Sequence, residues 1–282
     1  MHPRGLSMPG WLSNISERSR RVDRPEGSLK HGQTVYVVLD QRRSPDQCRS
    51  LLSLSGKRDF IALFAGTPLS PLLEASPWLL DIEVGSEAWH FAKMLCQQRL
   101  GWVCQPLPNE TLYSTADCLQ ALFMLDDPHG GKSLINLQQP AAWIALLASA
   151  PASIYSHWLN SLHQVATPTP QGQWLVWQTN APFSATSERW QLSAAMEAAL
   201  KESQQAWWLS DTTKIPLEEL PRNWLERLKK CSGCGIKRGR DLMRLLAAIQ
   251  HADESIWMQH EDILHDQRLT TKQRVSAMVS LA

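Results

Sequence analysis

The sequence lacks the long apolar runs that would place it in a membrane or mark it for export. None of its 282 residues lies in a run of about 18 apolar residues, the length of a membrane-spanning helix. The N-terminal residues also lack the apolar stretch of a signal peptide, so we expect a cytoplasmic protein with no membrane span. Six scattered cysteines in a chain of this size are typical of reduced thiols, and disulfides are therefore not expected.

Phenylalanine and tyrosine are also rare in the sequence, and its net charge is small. The chain has five Phe and three Tyr but thirteen Trp, and its 28 Lys and Arg against 27 Asp and Glu leave a net charge of +1. This near-neutral total averages opposed regions. Residues 1–33 carry six basic and three acidic side chains, residues 222–244 carry eight and two, and the rest of the chain therefore has a net charge of −8. A partner that recognises charge is not excluded.

Motifs for nucleotide or metal chemistry are incomplete. Residues 130–133 (Gly-Gly-Lys-Ser) resemble the end of a phosphate-binding loop, but Asp126 stands where the motif opens with glycine. A helix is also expected before these glycines instead of after them, so a tight helix-to-strand turn is the better interpretation. His260 and His265 are five residues apart, which places their side chains about 140° apart on a helix and prevents them from sharing a metal.

Cys231 and Cys234 have the spacing of redox couples and of half a zinc site. No second pair at ligand spacing lies nearby, and the pair falls between two predicted helices instead of at a strand-to-helix turn. Incidental thiols in a glycine-rich turn are therefore favoured, while metal binding stays open. We expect no catalytic residue, no cofactor and no metal, and hence a protein that is not an enzyme.

The pattern of apolar residues divides the chain into three parts. Residues 1–33 have little periodicity, which predicts a flexible leader. Residues 34–180 alternate short β-branched and aromatic runs with helix-like segments, which predicts an α/β domain with a mixed, partly parallel sheet. Residues 185–282 show apolar residues at spacings of three and four, which predicts a separate all-helical lobe and candidate effector-binding region.

Tryptophan and basic residues occur together in the predicted helical lobe. Trp and Arg are enriched at the centres of protein interfaces, and a basic segment can dock an acidic protein surface. Nucleic acid, bound by phosphate contacts and stacking, is the second interpretation of residues 222–244, and a solvated helix face is the third. We predict a partner-binding site at Trp207, Trp208, Trp224, Arg227, Lys229, Lys230, Lys237 and Arg238.

A series of residues in the 34–180 segment forms a characteristic pattern. In chain order the series is Leu39-Asp40, Leu63–Leu69, Leu72, Ala75–Leu80, Trp89, Gly101-Trp102, Leu119, Leu122 and Leu125. It is similar to the signature of the type VI secretion effector adaptors, whose shared N-terminal domain is catalogued as DUF4123. One segment departs from the family, which often has an Arg-Phe-Tyr-Asp-Pro-Arg-like sequence where this chain has Leu134–Pro140.

The resemblance implies a cytoplasmic, non-enzymatic chaperone. Such a protein would bind a cognate toxic effector and promote its loading onto the VgrG spike of a type VI secretion system, so its partners would be the effector and VgrG. The α/β domain would be the common scaffold, and the helical lobe would provide effector specificity. A nucleic-acid-binding protein that uses residues 222–244 is the alternative, and an enzyme with an unrecognised site is the third possibility.

Overall fold

The computed structural model of the chain describes residues 10–27, 29–106, 110–180 and 190–281. Within these ranges the strands are β1 (Ser19–Val22), β2 (Thr34–Leu39), β3 (Lys57–Ala62), β4 (Trp78–Glu83), β5 (Gly101–Gln105), β6 (Met124–Asp126), β7 (Lys132–Leu134), β8 (Gln164–Pro168) and β9 (Trp174–Gln178). The α-helices in the same ranges are α1 (Ser13–Arg18), α2 (Pro45–Leu51), α3 (Glu87–Leu95), α4 (Leu112–Leu122), α5 (Pro140–Ser149), α6 (Ala152–Leu162), α7 (Ala194–Thr213), α8 (Arg222–Gly233), α9 (Gly239–His251), α10 (Glu254–His265) and α11 (Thr271–Leu281).

Seven strands form one sheet in the order β1-β9-β8-β5-β2-β4-β3, and β6 and β7 form a separate hairpin. Each pair of neighbouring strands in these two sheets is antiparallel. The prediction of an α/β region followed by a helical region is confirmed. The prediction that the sheet is mixed and partly parallel is wrong.

Two interleaved crossover connections explain this error. β2 and β3 are joined through α2 and point the same way, since both pair antiparallel with β4, which lies between them. β4 and β5 are joined through α3 and likewise point the same way, on either side of β2. Each connection therefore joins two strands of the same direction, as in a βαβ unit, but the strand inserted between them makes both ladders antiparallel.

The two faces of the sheet are covered by different helices. On one face, Val37 of β2 lies in a buried apolar cluster with Trp89 of α3. On the other face, Trp102 of β5 stacks on Trp143 of α5, which stacks on Trp158 of α6, with ring centroids 5.4 and 5.8 Å apart. All three stacked tryptophans are fully buried. Much of the tryptophan content therefore serves the core.

Part of the predicted leader is built into the fold. β1 pairs with β9 at the edge of the sheet, Arg18 donates a hydrogen bond to the carbonyl of Ala150 at 2.6 Å, and the Tyr155 hydroxyl donates to the carbonyl of Arg18 at 2.9 Å. Residues 13–22 are therefore ordered, in contrast to the predicted flexible leader. Their pairing and hydrogen-bonding partners are distant in the sequence, and local periodicity cannot indicate such partners. Residues 1–9 and 28 of the predicted leader lie outside the described residues.

The chain divides into a first unit, Met1–Glu218, and a second unit, Glu219–Ala282. The predicted lobe begins earlier, at residue 185, within a stretch (181–189) that lies outside the described residues. α7 belongs to the first unit because it packs on α5, and the Arg99 guanidinium lies 4.7 Å from the ring centroid of Trp207 on α7. The second unit contains α8 to α11. Over the described ranges, no helix is both long and apolar enough to cross a membrane.

Candidate functional site

Trp207 and Trp208 occupy neighbouring positions on α7 in the first unit, but they have different environments. Trp207 is 1% exposed and stacks under Arg99, which also donates a hydrogen bond to Gln204 at 2.8 Å. Trp208 is half-buried. Trp207 is therefore a core residue that holds α7 in the first unit, and Trp208 is the one whose ring a partner can contact.

Arg227 lies inside the second unit, although the sequence places it among the candidate contact residues. Its side chain is 5% exposed, donates a hydrogen bond to the carbonyl of Ile249 at 3.0 Å and lies 4.9 Å from the ring centroid of Trp257. His260 beside it is fully buried. Burial lowers the pKa of His260, and the charge of Arg227 lowers it further. Arg227 thus joins α8, α9 and α10 and has a structural role.

The remaining candidates on α8 are Trp224, Lys229 and Lys230. Trp224 is half-buried, and both lysines are exposed. Lys230 forms an ion pair with Glu261 of α10, and the hydrogen bond from Lys230 lowers the pKa of that carboxyl group. Because this charge is paired within the unit, α8 presents less positive surface than its sequence indicates.

Lys237 and Arg238 are exposed in the segment that leads into α9. Arg238 borders a cavity of about 610 Å³, where the starts of α9 and α11 come together. We call it the basic cavity, and its charged lining residues are Arg238, Arg240, Asp241, Arg244 and Lys272. Lys272 is absent from the sequence-based set because only tertiary packing brings α11 to α9. Arg240 and Arg244 belong to the basic run 222–244 and could have been included on that signal.

Side-chain hydrogen bonds hold the elements around the basic cavity. Arg274 of α11 donates to the carbonyls of Cys234 and Leu264 at 3.1 and 2.8 Å. Arg244 of α9 donates to the hydroxyl of Ser276 on α11 at 3.4 Å. These bonds connect α11 to α9 and to the segment after α8. They therefore hold in place the helices that carry the cations of the cavity.

The Cys231 and Cys234 thiols are free, and their environments differ. Cys231 is fully buried, and burial raises the pKa of its thiol to about 12. Cys234 is half-buried, with its Sγ 3.9 Å from Nδ1 of His265. The thiolate is the form that binds metals and exchanges disulfides, and burial disfavours it at Cys231. Within the described residues, no group of three His, Cys, Asp or Glu side chains could hold a metal ion.

The first unit has a polar cavity of about 740 Å³ against its sheet. Tyr36 of β2 and Asp81 of β4 line it and lie directly opposite each other. Burial raises the pKa of Tyr36 to about 12 and also raises the pKa of Asp81, whose Oδ1 is buried without a hydrogen-bond partner. Cations (Lys30, Arg58) and acids (Asp81, Glu110) both line the cavity. Its charges therefore favour neither a cationic nor an anionic ligand.

A stretch of sequence within the first unit matches a known protein family. A family model described as "Domain of unknown function (DUF4123)" matches residues 35–157. The chain contains a DUF4123 domain. The match covers less than half of the 282 residues. No curated protein and no solved structure matches the chain.

The DUF4123 match covers one side of the sheet, from β5 to the edge strand β3, and not its full width. β3, β4, β5 and nearly all of β2 lie within the match, whereas β1, β8, β9 and α7 lie outside it. Residues of the sequence pattern shape the backbone there. A Cβ added at Gly101 would lie 1.9 Å from the carbonyl oxygen of Val38, and the Ser76 hydroxyl accepts a hydrogen bond from the Phe64 N–H at 2.9 Å. Gly101 and Ser76 therefore have structural roles within the domain.

Proposed function

We propose that the protein is a non-enzymatic adaptor that binds a cognate type VI secretion effector in the cytoplasm and promotes its loading onto the VgrG spike. One observation carries the proposal. A DUF4123 domain, whose sequence pattern resembles the type VI effector adaptors, is joined in one chain to a separate helical unit. This role requires specific, reversible protein contacts and no bond-making chemistry.

The second unit has surface features that suit binding to a protein. Trp224 is half-buried, and Met243 and Met258 are 50% and 63% exposed. Aromatic residues, Met and Arg are enriched in protein interfaces, and charge complementarity increases encounter rates and selects partners. With the exposed cations around the basic cavity, these features support an effector surface that is acidic near its point of contact.

Nucleic acid is the alternative partner for the same positive charge. Proteins that bind single strands track the backbone along a charged groove and stack bases on aromatic side chains. In the second unit, by contrast, cations from two helices converge on one cavity. We therefore favour a protein partner, and nucleic acid becomes an outcome of the test.

Co-purification with the products of neighbouring genes tests the adaptor proposal. We expect the full-length chain to retain an effector and VgrG, and a chain that ends at Glu218 to lose the effector. We also expect Lys237→Glu with Arg238→Glu to weaken retention without loss of helical content in circular dichroism. A matched control reverses two exposed cations of the first unit, Lys201 of α7 and Lys214, the residue that follows α7.

Three results would argue against parts of this proposal. If the full-length chain retained neither candidate partner, the adaptor function would be refuted. If the chain ending at Glu218 retained the effector fully, effector binding would belong to the first unit. Salt-dependent binding of generic DNA, without retention of any protein, would favour the nucleic-acid alternative.

A further inference from the structure

Three cations of the second unit stand where helix electrostatics disfavours them. Arg238 is the N-cap residue of α9, Arg240 lies in the first turn of α9, and Lys272 lies in the first turn of α11. A helix N-terminus carries partial positive charge, which is stabilised by acidic side chains and opposed by basic ones. Residues that contradict local stability rules without compensation are expected at functional sites. The placement of these cations therefore indicates binding of an anion.

The same three cations meet a fourth at the basic cavity. Arg244 follows Arg240 by one helical turn, and like charges at this spacing repel each other. Among the described residues, Arg238, Arg240 and Lys272 take part in no ion pair. Asp241 is the one acidic residue in the lining, so it leaves most of this positive charge without compensation.

The excess charge of the second unit is confined to this cavity. Residues 219–282 contain eleven Lys and Arg and eight Asp and Glu, which gives a net charge of +3. Without the four cations and one acid of the cavity, seven residues of each sign remain. A localised excess of this kind suits a compact anionic group better than a long polyanion, which needs cations distributed along its backbone.

The backbone adds hydrogen-bond donors at the same place. Arg238 provides no side-chain cap for α9, so N–H groups of its first turn stay available to a ligand. The start of α11 differs, because Thr270 and Gln273 cap each other there. The Thr270 N–H donates to Gln273 Oε1 at 2.9 Å and is therefore already used. The N–H groups at helix starts bind carboxylate and phosphate groups well. Gly235 and Gly239 leave room, since a Cβ at either would have no atom within 4 Å.

We propose that the basic cavity binds adjacent carboxylates of an acidic segment in a partner protein. The guanidinium groups of Arg238, Arg240 and Arg244 can each bind a carboxylate through two parallel hydrogen bonds, and Lys272 adds a point charge. The choice of a protein carboxylate over a free phosphate rests on the proposed adaptor function. The cavity is then the anchor point for effector recognition in the second unit.

Calorimetric titration of the full-length protein tests this inference directly. The probes are a short peptide with a central Glu-Glu pair, its Gln-Gln counterpart, inorganic phosphate and a single-stranded oligonucleotide. We expect the Glu-Glu peptide to bind at least about tenfold more tightly than each other probe. Its affinity should fall as salt is added, because exposed charges are screened.

A triple variant separates binding from stability. Arg238→Gln with Arg240→Gln and Lys272→Gln should weaken binding of the Glu-Glu peptide at least about tenfold. Its Tm at low salt should be unchanged or higher, since the removed charges oppose the helix dipoles. Arg268→Gln removes a cation of the second unit whose side chain is 90% exposed and lies outside the cavity lining, and this control should bind the peptide within about twofold of the unsubstituted chain.

The opposite results would overturn the inference. They are absence of Glu-Glu peptide binding up to about 1 mM, undiminished binding by the triple variant, a lowered Tm of that variant, or tighter binding of phosphate or DNA than of the peptide. Co-purification reports separately on the adaptor function. Retention of an effector without peptide binding would refute only the cavity assignment, and peptide binding without retention would refute only the adaptor function.

Discussion

At the scale of single residues, the adjacent tryptophans of α7 provide a matched pair. Trp207 is 1% exposed and stacks under Arg99, whereas Trp208 is half-buried. We expect Trp207→Ala to lower the free energy of unfolding of the first unit by about 3–5 kcal/mol, and Trp208→Ala to lower it by about 1–2 kcal/mol. Urea unfolding followed by circular dichroism measures both. Equal losses would contradict the core and surface assignments.

Arg227 is a buried candidate residue, so its structural role can be tested in the protein without a partner. Arg227→Met keeps much of the side-chain volume but leaves the Ile249 carbonyl without its donor. We expect the second unit to lose about 2–3 kcal/mol of stability. We also expect the pKa of His260 to rise, because the charge of Arg227 contributes to lowering it. Urea unfolding measures the first effect and an NMR titration of His260 the second, and an unchanged histidine pKa would contradict the proximity of the two groups.

Asp81 makes stability depend on pH in a direction that follows from its raised pKa. Burial raises its folded-state pKa above the unfolded value. The charge of Arg58 partly offsets this rise, and Asp59, directly across the ladder, adds to it. The related stability is complete below the unfolded pKa and is lost as the pH rises through the folded pKa. Asp81→Asn should therefore be more stable than the unsubstituted chain near neutral pH, by roughly 0.5 kcal/mol after solvent screening.

Thermal unfolding across acid and neutral pH checks the Asp81 prediction. The difference between Asp81→Asn and the unsubstituted chain should disappear as the pH falls. Asp59→Asn is the control, since it removes the same repulsion but leaves the buried Asp81 oxygen in place, and its gain should be smaller. A constant difference across the pH range would show that the Asp81 charge is not the cause.

The candidate site could be predicted from the sequence only in part. The charge run 222–244 identified Lys237 and Arg238, which are exposed. It also included Arg227, which is buried, because the composition of a segment does not show which side of its helix packs inward. Lys272 was missed for a different reason, since its contribution to the basic cavity exists only through the packing of α11 on α9.

At the scale of elements, local pattern predicts strands better than it predicts their partners. The run of β-branched and aromatic residues at 34–39 predicts β2 at its observed bounds. The pattern does not predict β8, Gln164–Pro168, because its mixed composition carries little strand signal. Which strands pair with each other is harder to predict from the sequence than the strands themselves. Nothing in the residues of β2 and β3 shows that β4 will lie between them, and this insertion decides that the ladders are antiparallel.

The close approach of β5 to β2 depends on the absence of a side chain at Gly101. A Cβ there would lie 1.9 Å from the carbonyl oxygen of Val38, so Gly101→Ala has to push the two strands apart. We expect a loss of about 2–3 kcal/mol in the stability of the first unit. Gly10→Ala is the control, because its added Cβ would meet no atom within 4 Å. Thermal unfolding compares them, and similar Tm values would contradict the steric account.

At the scale of the whole molecule, the boundary of the first unit follows from what covers α5. All residues from Pro140 to Ala148 are buried, so α5 is apolar on every side and needs neighbours all round. α7 is one of these neighbours, although the sequence groups it with the helices that follow. The alternation of strands and helices ends before α7, which explains why pattern alone places the boundary near 180–185 instead of at 218.

Two truncations decide between these boundaries. A chain that ends at Glu218 keeps α7 on α5, and we expect it to unfold cooperatively on heating. A chain that ends at residue 184 loses α7, so it exposes the apolar surface of α5 and the Arg99 side chain that packs on Trp207 in the full-length chain. Because exposed apolar surface of this kind leads to aggregation, we expect the shorter chain to aggregate or to bind a hydrophobic dye strongly. Cooperative unfolding of both chains at the same temperature would instead show that α7 is dispensable for the first unit and support the earlier boundary.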